Sequence, residues 1–168
     1  MKKSRIWMSI VPVIAVMVTI FCFSAQPAQQ SSETSGGIVE IIIKNTVPDY
    51  QQMKPEKQTQ IRDKITHAVR KFGHFTEFCA LGIVTAIHAH IALKYKGRKD
   101  TNPKTFLITL SFCAVYAATD EIHQIFVPGR GPGIKDVLID TSGALFGISA
   151  VMLVLLAADT VRRRKNER

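Results

Sequence analysis

A chain of 168 residues with 46% apolar content has the length of one soluble domain, and a formal net charge of +9 invites a nucleic-acid role. The distribution of both kinds of residue excludes these readings, because the apolar residues gather into four long runs and the basic residues flank the runs instead of forming a binding stripe. The three cysteines, Cys22, Cys79 and Cys113, lie inside those runs with no CxxC and no Cys/His zinc spacing, so no disulfide framework or zinc module is encoded.

The first run, residues 6–23, is free of charge and follows Met-Lys-Lys-Ser-Arg. It exceeds the roughly 7–15 apolar residues of a secretory leader, and Phe23 stands where cleavage after Ala25 would need a small residue. It is therefore expected to be a retained span. Residues 24–37 are polar and rich in Ser, Gly and Pro, which predicts a loop outside the membrane. The apolar patch at 38–43 is too short to cross and predicts a helix at the interface. Pro55 opens a second helical signal, in which Ile61, Ile65, Ala68, Val69 and Phe72 recur at three- and four-residue spacing. That stripe predicts an amphipathic segment lying on the outer membrane surface, or packed on the preceding loop, that feeds directly into the next run.

Residues 72–93, 105–127 and 137–158 form the remaining runs. Each approaches the roughly 20 helical residues, at about 1.5 Å per residue, that cross a hydrocarbon core about 30 Å thick. The link at 94–104 is short, basic and broken by Gly97 and Pro103. The link at 128–133, Pro-Gly-Arg-Gly-Pro-Gly, is a tight turn that makes the third and fourth spans antiparallel neighbours. Gly143 and Gly147 offer the fourth span a small-residue face for close helix contact. Thirteen of the 22 Lys and Arg fall in residues 1–5, 94–104 and 158–168, and by the positive-inside rule these segments are cytoplasmic. The expected architecture is an all-α, four-transmembrane-helix bundle forming a single domain over residues 1–168. Both termini are inside, and an outer loop over 24–71 carries short interfacial or amphipathic helices.

Three of the spans carry ionisable residues, each costing on the order of 2.5–3.5 kcal/mol at mid-helix on insertion scales. The second has His74 and Glu77 below Arg70 and Lys71, the third has Asp120, Glu121, His123 and Gln124, and the fourth has Asp136 and Asp140. Lys71, His74 and Glu77 are successive i, i+3 neighbours, Asp120 and Gln124 are i, i+4, and Asp136, Asp140, Gly143 and Gly147 follow one face. His74 and Glu77, Asp120 to Gln124, and Asp140 lie one to two turns below the same outer surface, so three helices contribute to a single polar layer. Arg70, Lys71 and Arg130 defy the positive-inside trend and face an excess of carboxylates. Three readings of the layer remain open at this point. It is a salt-bridge network that fixes packing, a site for an anionic ligand held by Arg forks and glycine-flanked amides, or a divalent metal site using His74, Glu77 and nearby Asp residues. No spacing is diagnostic of a metal, and no cofactor is implied. Ser24 and Gln26, just past the first span, are placed to reach the layer from the fourth helix. His88 and His90 lie deeper and read as packing or interfacial residues.

The blocks Arg70-Lys-Phe-Gly-His74-Phe-Thr-Glu77-Phe78, Asp120-Glu-Ile-His-Gln124-Ile-Phe-Val-Pro-Gly-Arg130 and Asp136-Val-Leu-Ile-Asp140-Thr-Ser-Gly143 resemble the signature of the VanZ-like family. Phe23-Ser24-Ala-Gln26-Pro resembles its first-loop element. The similarity covers nearly the whole chain, and Phe78, where the family often has Tyr, is a mild departure. The resemblance implies a multi-pass protein of the bacterial cell membrane, in a family associated with low-level teicoplanin resistance, and it implies no known reaction. In that envelope context the expected ligand is an anionic or amphiphilic molecule, such as a lipid-linked wall precursor, a lipid head group or a lipoglycopeptide. It would be held by Arg70, Lys71, His74, Glu77, Asp120, Glu121, Gln124, Arg130, Asp136 and Asp140. The alternative is a membrane enzyme acting on such a lipid, with His74 or Glu77 as general base and Asp120 or Glu121 as its carboxylate partner. No Ser or Cys nucleophile constellation accompanies them, and no nucleic-acid partner is expected.

Overall fold

A computed structural model of the chain describes residues 4–97, 103–131 and 133–166; the centre of the basic link expected at 94–104, residue 132 of the glycine-rich turn and the outermost residues of both termini lie outside them. Among the described residues there are five α-helices and no strand: α1 (Ser4–Ser24), α2 (Ala28–Thr46), α3 (Pro55–Tyr95), α4 (Pro103–Gln124) and α5 (Ile134–Asn166). The helices α1, α3, α4 and α5 are long and apolar enough to cross a membrane, and they correspond to the four apolar runs.

The helix α3 is continuous over 41 residues. At about 1.5 Å per residue it is about twice as long as a hydrocarbon core is thick. Pro55 sits in its first turn, where a missing N–H costs nothing, and nothing breaks the helix before Tyr95. The segment that begins at Pro55 thus runs unbroken into the second span, as its spacing predicts.

The stretch expected as a loop over 24–37 is different in the structure: from Ala28 onward it is the first half of α2. No proline interrupts Ala28–Thr46, and the hydroxyls of Ser32, Thr34 and Ser35 donate to the carbonyls of Ala28, Gln30 and Ser31 at 2.8, 2.9 and 3.0 Å. Such bonds satisfy short polar side chains within a helix. Gly36 and Gly37 each disfavour the helix by up to about 1 kcal/mol, but tertiary packing of its second half outweighs them. Val39 and Ile43 are buried with Tyr50 against Ile61, Ile65 and Val69 of α3. The apolar stripe on the first part of α3 is therefore turned largely onto α2, while Phe72 at its end remains 67% exposed.

A second core lies within the bundle. Phe78 and Leu81 of α3, Cys113 and Ala117 of α4, and Ala144 and Ile148 of α5 are buried together with Val13 and Ile20 of α1. The helix α5 packs most extensively on α3, and small residues set how close the two come. A Cβ on Gly143 would overlap the Phe75 carbonyl oxygen, one on Gly147 that of Cys79, and one on Gly82 that of Ala144. Toward the other end, Ser9 Oγ lies 2.9 Å from His88 Nδ1, so His88 joins α1 to α3.

Gly147→Ala is expected to lower unfolding stability in detergent by about 1–3 kcal/mol through forced backbone separation. Gly36→Ala, where nothing lies within 4 Å of the added Cβ, should be neutral or stabilising by up to about 1 kcal/mol. Thermal unfolding of the two variants checks this, and equal midpoints would refute the close-contact account.

Candidate functional site

One end of the bundle collects the charged residues for a topological reason. The helices α1 and α4 finish there, α5 begins there, and α3 passes through it at Arg70 to Glu77. Residues far apart in sequence, Ser24, His74, Asp120 and Asp136, are thereby brought to one level.

The ends of α1 and α4 are joined by a buried three-residue cluster. Ser24 Oγ donates to Asp120 Oδ2 at 2.7 Å, and Gln124 Nε2 donates to the same oxygen at 3.0 Å and to Ser24 Oγ at 3.3 Å. Asp120 and Gln124 are each 4% exposed and Ser24 is fully buried, so these bonds replace the water that a carboxylate would otherwise need. The i, i+4 spacing of Asp120 and Gln124 places both on the face of α4 that meets Ser24.

Arg130 comes from the turn between α4 and α5. Gly129 adopts a left-handed φ of 73°, which costs a glycine nothing, and a side chain there would press on Ala28. The Ala28 N–H donates to the Pro128 carbonyl at 3.2 Å, tying the start of α2 to this turn. The Arg130 guanidinium donates through Nε to Gln26 O at 3.2 Å and through Nη2 to Phe23 O at 3.3 Å, and its Nη1 lies 3.4 Å from His74 Nε2. Burial, and then the charge of Arg70, draw its pKa below the ordinary value while Asp120, Glu77 and Glu121 raise it. It remains a cation.

Little of the layer closes into ion pairs. Among the described residues, Lys71 with Asp136 is its one pairing of a lysine or arginine with a carboxylate, and both side chains are about a third exposed. Glu121 accepts instead from the Gly133 backbone N–H at 2.8 Å. Asp140 is fully buried, and its closest basic atom is His74 Nδ1 at 3.9 Å. Arg70 Nε, His74 Nδ1, Glu77 Oε2 and both Asp140 oxygens are buried without a hydrogen-bond partner.

Two concave volumes meet at this layer. A polar cavity of about 210 Å³ is lined by Arg70, Lys71, His74, Gln124, Arg130, Asp136 and Asp140 together with His67. An open groove of about 710 Å³ runs between α2 and α3, with Ile38, Ile42, Val69 and Phe72 among its walls and Glu77 at its polar end. Arg70, His74 and Arg130 border both volumes.

Seven of the ten expected ligand-binding residues therefore share one cavity, and Glu77 faces the groove. Asp120 and Glu121 line neither volume; each is buried, Asp120 bonded to Ser24 and Gln124 and Glu121 to the loop. Reasoning from sequence missed the α2 wall of the groove. Ser31, Thr34, Ser35, Ile38 and Ile42 all line it, and their three- and four-residue spacing is a helical signal hidden by the Ser and Gly composition. His67 was missed too, although it stands three and four residues before Arg70 and Lys71 and so extends their stripe.

The chain matches a family model described as VanZ/LLP1 over residues 9–156, and it belongs to that family. The matched region contains every residue of the polar layer, and the resemblance carried by the three sequence blocks stands. With four helices able to span a bilayer, it is a multi-pass membrane protein. No curated protein and no solved structure matches the chain.

Loss of the buried Ser24 bond to the Asp120 carboxylate in Ser24→Ala is expected to cost about 1.5–3 kcal/mol. Lys71→Met, which breaks a partly exposed pair, should cost no more than about 1 kcal/mol. Unfolding midpoints in detergent rank the two, and a greater loss in Lys71→Met would show that the Ser24 cluster is not what joins α1 to α4.

Proposed function

We propose that this VanZ/LLP1 family protein binds an anionic amphiphile, with the charged head between Arg70 and Arg130 and the apolar chain along the groove between α2 and α3. The observation that carries this reading is the shared border of Arg70, His74 and Arg130, which puts basic groups where an apolar groove opens into a polar cavity. A head and a tail need that juxtaposition. The groove volume of about 710 Å³ falls within the range of roughly 300–1,000 Å³ typical of small-molecule sites.

The scarcity of direct ion pairs supports a ligand over a closed network. Two arginines at the layer have no carboxylate partner among the described residues, and the guanidinium fork suits phosphate and carboxylate alike. Asp136 and Glu77 are placed to accept from amines or sugar hydroxyls on the same molecule. The positive-inside distribution puts the polar end on the outer side of the membrane, so the ligand enters from the outer leaflet. A lipid-linked wall precursor, a lipid head group or a lipoglycopeptide of the teicoplanin class has the required chemistry.

A second reading, catalysis on the same class of lipid, is favoured by one feature. His74 stands between Arg130 and the buried Asp140, with the Glu77 carboxyl one turn away, an arrangement able to hold a general base beside an anion. Comparing envelope lipids by mass spectrometry with and without the protein separates the readings: a consumed or new species means turnover, and an unchanged profile means binding alone.

Native mass spectrometry of the purified protein with phosphatidylglycerol and with phosphatidylcholine should show preferential retention of the anionic lipid. Arg130→Ala should reduce that retention roughly tenfold or more, as expected for losing a charge-assisted hydrogen bond of about 1.5–3 kcal/mol. Equal retention of the two lipids would sink the head-group assignment. In cells, the intact protein should lower teicoplanin susceptibility, and Arg130→Ala and Glu77→Gln at equal expression should lose that protection. Full protection by both variants would separate the layer from the phenotype.

A further inference from the structure

We infer that His74, Asp120 and Asp140 form a divalent-cation site beside the polar cavity, contributed by three different helices. One ligating atom from each lies within 4.8 Å of those of the other two. That spread fits donors on opposite or adjacent sides of one ion at bond lengths of about 2.0–2.4 Å.

The independent observation is the state of Asp140. Its side chain has no exposure to solvent, neither of its oxygens accepts a hydrogen bond, and it is aimed at His74 Nδ1, which has no hydrogen-bond partner either. A buried carboxylate left without bonds carries a large desolvation cost. Asp120, 4% exposed, stands beside it. The basic side chains of the layer do not relieve this. Lys71 is engaged by Asp136, Arg130 is directed to Phe23 O, Gln26 O and His74 Nε2, and among the described residues no ion pair joins Arg70 to either carboxylate. A cation among the three residues would satisfy Asp140, screen Asp120 from it and use the free His74 nitrogen together.

The donor set chooses the ion. One imidazole with two carboxylates suits Mn²⁺ through Zn²⁺ better than Mg²⁺ or Ca²⁺, which favour oxygen alone. The hydrogen bonds from Ser24 and Gln124 to Asp120 Oδ2 orient that carboxylate as outer partners do in metal sites. Binding at Nδ1 leaves the imidazole proton on Nε2, so the contact to Arg130 opens. At 3.4 Å it is the longest of that guanidinium's three, and its loss turns one donor toward the cavity.

This inference does not rest on the amphiphile reading and is tested without lipid. The full chain, purified in detergent and stripped with a chelator, is titrated with Mn²⁺ while the free-ion signal is followed by electron paramagnetic resonance, and Zn²⁺ is then added as competitor. One Mn²⁺ per chain, displaced by Zn²⁺, is expected. His74→Gln and Asp140→Asn should each weaken binding by at least the roughly 10–100-fold seen on perturbing a metal shell, whereas Asp159→Asn, far along α5, should not. If Asp140→Asn does not yield folded protein by size exclusion, His74→Gln decides. Absence of saturable Mn²⁺ and Zn²⁺ binding in the unmutated protein overturns the proposal, as does binding that survives His74→Gln unchanged.

Discussion

The close approach of α3 and α5 governs the geometry of everything at the polar end. Gly143 and Gly147 let α5 lie against the Phe75 and Cys79 carbonyls of α3, and side chains of the polar layer sit immediately beside those contacts. His74 precedes Phe75, and Asp140 lies one turn before Gly143. A larger residue at either glycine would push α5 outward and take Asp140 away from His74 and Asp136 away from Lys71. In a bilayer, where lipid competes equally for apolar side chains, such small-residue packing is one of the few forces that fix helix spacing. Here the contact that stabilises the bundle also sets the dimensions of the site.

Burial gives the charged layer its character. Ionisable groups at this depth are costly, and a layer evolved only to hold four helices together would be expected to close them into pairs. Instead one pair forms at the more exposed margin, between Lys71 and Asp136. The most buried carboxylate, Asp140, has no hydrogen bond. The polar contacts that tie α1 to α4 and to the turn before α5 are of other kinds. Ser24 and Gln124 hold Asp120, Tyr116 donates its hydroxyl proton to the Met17 carbonyl at 2.7 Å, and Arg130 ties the turn before α5 to the end of α1. Cohesion and unsatisfied charge are thus assigned to different residues, with Arg70 Nε, Glu77 Oε2 and both Asp140 oxygens left without a hydrogen-bond partner.

The helix α2 supplies the apolar side of the arrangement. Its second half is anchored on α3 through Val39 and Ile43, and its first residue is bonded to the turn that carries Arg130. Between these anchors the helix stands off from α3 and leaves the groove. An amphiphile lying there would have its chain against Ile38, Ile42 and Phe72 and its head at Arg70 and Arg130, with no rearrangement of the bundle.

The sequence alone determined the four spans, because about 20 consecutive apolar residues have few stable alternatives to a membrane helix. It also determined the common depth of His74, Glu77, Asp120, Gln124 and Asp140, because depth follows from counting residues along a helix of fixed rise. That Ser24 can reach the layer was legible for the same reason, as it ends α1 at that depth, while its bond to Asp120 was not. Tertiary structure alone decided that Ala28 to Gly37 is helical, since local Ser and Gly composition argues for a loop and only packing on α3 reverses it. It also decided which charges pair. Helical spacing brings Arg70, Lys71 and His74 to the level of the carboxylates Glu77, Asp120, Glu121, Asp136 and Asp140 without choosing among them, and the choice of Asp136 for Lys71 and of no hydrogen-bond partner for Asp140 depends on how closely α3 and α5 approach. That distance is set by atoms on two helices at once, and no single stretch of sequence contains it.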